Sequence, residues 1–251
     1  MTLARRGHHS VALVLFGLTT HAVNLARAMV LLHRSGEPAG IPTLARQVIE
    51  LGTTAVWVEL CGHTAAEALM AEHSRQQLNE LDGFAEIGMT GGDAARATVV
   101  AEKAWFLAHR SGRYFQQRCD ELHGGPLIYA VYRAASEHSH ASTTVVDSYL
   151  REPRTGSEAP VAFRSTPRGG SRIWMEAALT MLVHAWLAFD RLDTDRAARA
   201  HLRQIAAELG VGTRFQLSPE GSKAQRARER AERARRRQAN TATGARVRRE
   251  E

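Results

Sequence analysis

The chain has 251 residues and a mass of 27.6 kDa, with 44% hydrophobic and 24% charged residues, the proportions of an ordinary globular protein. That length gives one large domain or two small ones with a core that needs no covalent staples, and the composition excludes a collagen-like chain, a disulfide scaffold and a wholly disordered protein. The net charge of +7 is uneven: residues 222–251 carry 11 basic and 4 acidic side chains, leaving the rest neutral with 22 of each sign, so the basic character describes a tail rather than a domain.

The first predicted helix covers residues 10–34. Val11, Val14, Leu15, Leu18, Ala22, Leu25, Met29 and Leu32 recur at helical spacing, past any point where a signal peptide would be cleaved. An amphipathic core helix is therefore expected, with neither a leader nor a membrane span. Ser35-Gly36-Glu37-Pro38 ends it. Pro42 opens a second helix to about Gly62, with Leu44, Val48, Leu51, Ala55 and Val58 on its buried stripe. A third helix covers 64–79, and the glycine-containing stretch 81–92 is expected to be a loop. Asp93 caps a fourth helix through His109.

A short helix from about Arg113 stops at His123-Gly124-Gly125, and Pro126 opens a longer one over 127–150. Residues 151–170 form a proline- and glycine-rich loop with a short hairpin near Val161 to Arg164. The apolar stretch Ile173 to Arg191, and then Thr194 to Leu209, supply the last two helices. Beyond Pro219 the sequence is Ala, Arg and Glu with no large apolar residue up to Arg237, so it has helix propensity and no apolar face to bury. The expected architecture is all-α: a bundle of about seven helices over residues 1–217, followed by a basic tail, 218–251, that is disordered when free.

Chemistry concentrates between Tyr132 and Ser142. In one continuous helix, Tyr129, Tyr132, Ser136, His140 and Thr143 share a face. This arrangement reads as a buried polar network that fixes packing, or as a site. Arg46 and Glu50 are four residues apart on the second helix and share a face. Buried together, they are expected to join Tyr132, Ser136 and His140 in a structural polar network.

The segment Leu44-Ala45-Arg46-Gln47-Val48-Ile49-Glu50, with Tyr132, Ser136, His140 and Ser142, resembles the two signatures of a large uncharacterised bacterial family of all-helical proteins. These are an R-x-x-x-E helix and a later Tyr/Ser/His run. The resemblance spans roughly residues 20–190 and leaves out the tail. It implies a fold and no activity.

A second resemblance concerns Arg133 and His138, whose Arg-x-x-x-x-His spacing is similar to that of HEPN-type ribonucleases. It implies metal-independent cleavage, with Arg133 holding the scissile phosphate and His138 acting as general acid or base, supported by His140 and Ser136. Ala134 departs from the polar residue common there, and in an ideal helix the pair lies about 140° apart. A bundle metal site is the third alternative, from Glu137-x-x-His140 and Asp120-x-x-His123. Glu50 and Glu102 offer the other carboxylates, but Asp replaces Glu in the second pair, His123 sits at a helix end and the two pairs lie on adjacent short segments, so no metal or cofactor is expected.

In the tail, Arg226, Arg228, Arg230, Arg233, Arg235, Arg236 and Arg237 are candidates for contacts to a nucleic-acid backbone, without aromatic residues for base stacking. Cys61 and Cys119 fit no disulfide framework or Cys-based zinc pattern and suit a reducing cytoplasm. The sequence-level reading is a cytoplasmic helical protein that acts by binding. Its candidate partners are nucleic acid through the tail and a second copy of the chain, with no membrane; the alternative is the ribonuclease.

Overall fold

The computed structural model describes residues 9–89, 92–101, 109, 112–151, 161–168 and 170–250, with the side chains of 236 and 239–250 excepted. Among them are ten α-helices: α1 (His9–Arg34), α2 (Ile41–Cys61), α3 (His63–Glu86), α4 (Asp93–Ala101), α5 (Phe115–Asp120), α6 (Gly125–Glu137), α7 (Thr143–Ser148), α8 (Ser171–Asp190), α9 (Arg199–Glu208) and α10 (Pro219–Glu250). The only sheet among these residues pairs Leu150–Arg151 with Ala162–Phe163, antiparallel, so the all-α expectation holds.

Three helices make the centre: α2 packs on α1 and α8, and these two also pack on each other. α2 is apolar over most of its surface, because neighbouring helices cover it, and a half-exposed polar strip through Arg46 and Glu50 remains. Trp57, Ile41, Val48, Ile49, Val56 and Val58 are fully buried along it. At Gly52 the crossing is so close that a Cβ would lie 2.5 Å from the Met181 carbonyl oxygen of α8. Gly62, at φ +67°, turns the chain from α2 straight into α3, a conformation that costs glycine nothing. α5 and α6 cover another flank of α2, and α9 packs on α8 through Leu202 and Ala206.

Helix α1 is long and apolar enough to cross a membrane by length and composition. In this structure its Leu15 and Ala22 are fully buried against the body, while Leu13, Phe16 and Leu31 are exposed.

Several boundaries differ from the sequence reading. α3 runs through Gly83 to Glu86, and the stop is Gly88, at φ +77°, where Met89 N–H donates to the Phe84 carbonyl at 3.0 Å. α4 is described only to Ala101; the predicted continuation over 102–108 lies outside the described residues. The helix expected over 127–150 is two helices, because its hydroxyls compete for the backbone. Ser142 Oγ donates to the Glu137 carbonyl at 2.6 Å and accepts the Val145 N–H at 3.4 Å, capping α7. The hairpin near 161–164 uses Leu150–Arg151 as its partner strand. The middle of that loop, 152–160, lies outside the described residues.

The sequence reading ended the folded body at residue 217. In the structure residues 219–235 are helical and lie against the body. Leu217 bridges to Leu122, Ser218 N–H donates to the Glu121 carbonyl at 2.9 Å, and Ser218 Oγ accepts the Gly221 N–H at 2.9 Å, a side-chain cap that starts α10.

Candidate functional site

The polar face of α2 and its partners on α5 and α6 form a seam. Thr43, Arg46, Glu50 and Thr54 recur over three turns of α2. Antiparallel to them, Ser139 Oγ donates to Thr43 Oγ1 at 3.3 Å. Arg46 Nε donates to Ser136 Oγ at 2.9 Å, and its Nη2 donates to the Tyr132 hydroxyl. Ser136 Oγ in turn donates to the Tyr132 carbonyl at 2.8 Å. One turn further, the buried Arg118 of α5 donates to Thr54 Oγ1 at 2.8 Å and to the Gly112 carbonyl at 2.8 Å.

The electrostatics of the seam centre on Arg46, Glu50 and Tyr132. Arg46 and Glu50 stand 3.8 Å apart with 25% and 34% of their side chains exposed, so the intrahelical pair itself adds little. Burial, with the Glu50 carboxylate beside it, raises the Tyr132 pKa, and Arg46 opposes this; the phenol keeps its proton at neutral pH. Arg46 also lies over the Tyr132 ring, 4.6 Å from its centroid, and Tyr132 packs on Phe115 at 4.3 Å.

The structure thus brings together Arg46, Glu50, Tyr132 and Ser136. It does not bring in His140: α6 ends at Glu137, and His140 stands exposed in the turn that follows. Arg133 is exposed on α6. His138 is half-buried at the C-cap of α6, edge-on to Trp174 at 5.5 Å, and lines a cavity of about 70 Å³ with Tyr149, Arg168 and Ser171. Arg133 is not among the residues lining that cavity, so the two candidate ribonuclease residues do not converge in it.

The tail arginines separate into two faces. Gly221, Gln225, Arg228, Glu232 and Arg235 recur at helical spacing and face the body, each buried or half-buried. Arg228 Nη1 and Nη2 donate to the two carboxylate oxygens of Glu121 at 2.8 and 2.6 Å. Trp57 Nε1 donates to the same carboxylate at 2.7 Å. Arg228 Nη2 also approaches Cys61 Sγ at 3.1 Å, and Gln225 Nε2 donates to the Cys61 carbonyl at 3.1 Å. At Gly221 a Cβ would meet the Glu121 carbonyl oxygen at 2.0 Å, so only glycine lets α10 approach this closely. Arg226, Arg230, Arg233 and Arg237 occupy the opposite, exposed face. Arg236 has no described side chain.

Sequence reasoning missed Glu121, Glu67, His109 and the docked face of α10. The ligand atoms of Glu67, His109 and Glu232 lie within 4.8 Å of one another, a spacing that could hold a cation. Arg235 Nη1 is 2.7 Å from His109 Nε2, and Arg235 pairs with Glu232 at 3.5 Å. Glu67 itself pairs with His63 at 3.1 Å, and the Arg235–His109 contact ties α10 to the body. The signals were present: the Trp57 N–H needs an acceptor when buried, and the Gln225, Arg228, Glu232, Arg235 spacing is a face made of polar groups.

The fold and seam define an all-helical protein organised on an Arg-x-x-x-Glu helix. The family of unknown function DUF5677 matches residues 12–157, and the chain belongs to it. The match includes α1 to α7 and both halves of the seam and stops short of α8, α9 and α10. No curated protein and no solved structure matches the chain.

Proposed function

We propose that the protein is a cytoplasmic nucleic-acid-associated binding protein that presents the outer face of α10 to a phosphate backbone. One observation carries this reading: the docked arginines are spent on Glu121 and on the His109–Glu232 cluster, which orients a second row, Arg226, Arg230, Arg233 and Arg237, towards solvent. These positions rise along one face over about 16 Å, a length that carries several phosphates of a duplex. The rest of the chain is close to neutral, so the field is local. Glu229, which pairs with Arg233 at 3.7 Å, offsets part of it. Helix α10 has no aromatic residue and offers no stacking platform, so the binding is independent of sequence. The two free, buried cysteines suit a reducing compartment.

The test is fluorescence polarisation with labelled duplex DNA and single-stranded RNA across a salt series. The Arg226→Gln/Arg230→Gln/Arg233→Gln variant is expected to bind about tenfold or more weakly and to lose about three units of salt slope, with its melting temperature unchanged. Equal affinity and slope in the variant would overturn the reading.

A further inference from the structure

A trough lies on the side of the molecule formed by α1, α8 and α9. α8 is its floor, through Leu182 and Trp186; α1 is one wall, through Val30 and Leu31; α9 is the other, through Leu202 and Ile205. The cavity is about 700 Å³. A second one of about 390 Å³, also lined by Ala26, Val30 and Leu179, continues it along α1. Along α1 the larger cavity runs from Val23 to Arg34, about 16 Å or three helical turns. Its lining stays wet: Leu31 is 67% exposed, Leu179 39% and Trp186 37%. Contiguous apolar exposure of this kind marks an interaction site.

Around the larger cavity the charge has one sign, while the smaller one adds Glu176, paired with Arg172 at 2.7 Å. Arg27, Arg34 and His201 are the only ionisable residues lining the larger cavity, and none is acidic. Beyond the lining, Arg199 of α9 lies in the field of Arg196 and Arg203, with Asp190 of α8 opposing them.

We propose that this trough is a docking site for an amphipathic helix whose apolar stripe is flanked by acidic residues, supplied by another protein. Three helix surfaces surrounding a three-turn channel leave room for a fourth helix to complete the bundle, anchored at i, i+3, i+4 and i+7. Acidic residues beside those anchors meet Arg27, Arg34 and His201, which steers encounter and fixes direction. A second copy of this chain fits less well, because a two-fold contact joins a patch to itself and sets one basic rim against the other. A flat bilayer does not reach a floor that lies between two walls.

The experiment uses the full chain carrying Arg226→Gln, Arg230→Gln and Arg233→Gln, so that the basic face of α10 does not capture the probe and failure of either proposal is read separately. The probes are a labelled helical peptide of about 15 residues, leucine on one face and glutamate beside it, and its twin with lysine for glutamate. The glutamate peptide is expected to bind, and the lysine twin to bind at least about tenfold more weakly. Arg27→Glu/Arg34→Glu is expected to reverse that preference. Both side chains are exposed, so the exchange is read on a folded protein, and circular dichroism confirms it. Leu31→Glu is expected to abolish binding of both peptides. Absence of binding, or equal binding of the two peptides, would overturn the proposal. So would a sedimenting dimer that Leu31→Glu dissociates, which makes a second copy the occupant. Leu31-dependent capture on phosphatidylglycerol vesicles without peptide binding would overturn it in favour of a lipid surface.

Discussion

Arg228 on α10 grips Glu121, at the end of α5, with both Nη groups, at 2.8 and 2.6 Å, and only 9% and 12% of the two side chains are exposed. A bidentate pair this enclosed differs from a surface ion pair, because removing either partner strands the other's charge. Arg228→Ala is expected to cost about 3 kcal/mol. It is also expected to open residues 219–235 to limited proteolysis, while Arg226→Ala, on the outer face, changes neither. Chemical denaturation and mass mapping of the first cleavages check this.

The same undocking has a chemical readout at Cys61. Burial pushes its thiol pKa up to about 12, with Arg228 opposing the rise. The native protein is expected to react slowly with a thiol reagent at pH 8 and rapidly once unfolded. Arg228→Ala is expected to raise the rate at Cys61 and to leave Cys119, whose thiol is also at about 12, slow. Site-resolved alkylation followed by mass spectrometry separates the two.

At the α2/α8 crossing, Gly52→Ala places a methyl group 2.5 Å from the Met181 carbonyl oxygen. Backbone atoms of two packed helices cannot yield as a side chain can, so overpacking of about 1–3 kcal/mol is expected. Gly83→Ala, with nothing within 4 Å of its Cβ, is expected to be neutral or stabilising in a helix. Urea midpoints of the two variants check the contrast.

In the seam, Arg46 reaches Ser136 and Tyr132 from different nitrogens. Arg46→Ala is expected to destabilise by about 1–2 kcal/mol, and Arg46→Lys is not expected to restore it, because an ammonium cannot span both acceptors. A double-mutant cycle with Tyr132→Phe is expected to give a coupling of about 1 kcal/mol.

His184 is buried on α8, edge-on to Phe215 at 4.5 Å, and burial, helped by Arg191, lowers its pKa to about 4. The unfolded chain takes up this proton near pH 6.5 and the native protein only near pH 4. The contribution is therefore complete above pH 6.5 and is lost as the pH falls towards 4, about 3 kcal/mol in all. His184→Gln is expected to flatten stability over that window, read from urea midpoints at a series of pH values.

What the sequence determined by itself is what depends on near neighbours in the chain. Apolar residues at helical spacing placed α1, α2 and α8 to within a few residues, because periodicity, proline and glycine act locally. The Arg46–Glu50 spacing and the Tyr132–Ser136 spacing are local too, so these four could be nominated together. The tertiary structure alone decided which of them meet. His140 left the seam because the helix ended at Glu137, where Ser142 turned its hydroxyl onto the freed carbonyl. The fate of α10 was decided by Glu121, more than a hundred positions away. A helix without an apolar face holds to the body only where a carboxylate and a buried indole wait for its guanidinium, and no local pattern records a partner that distant.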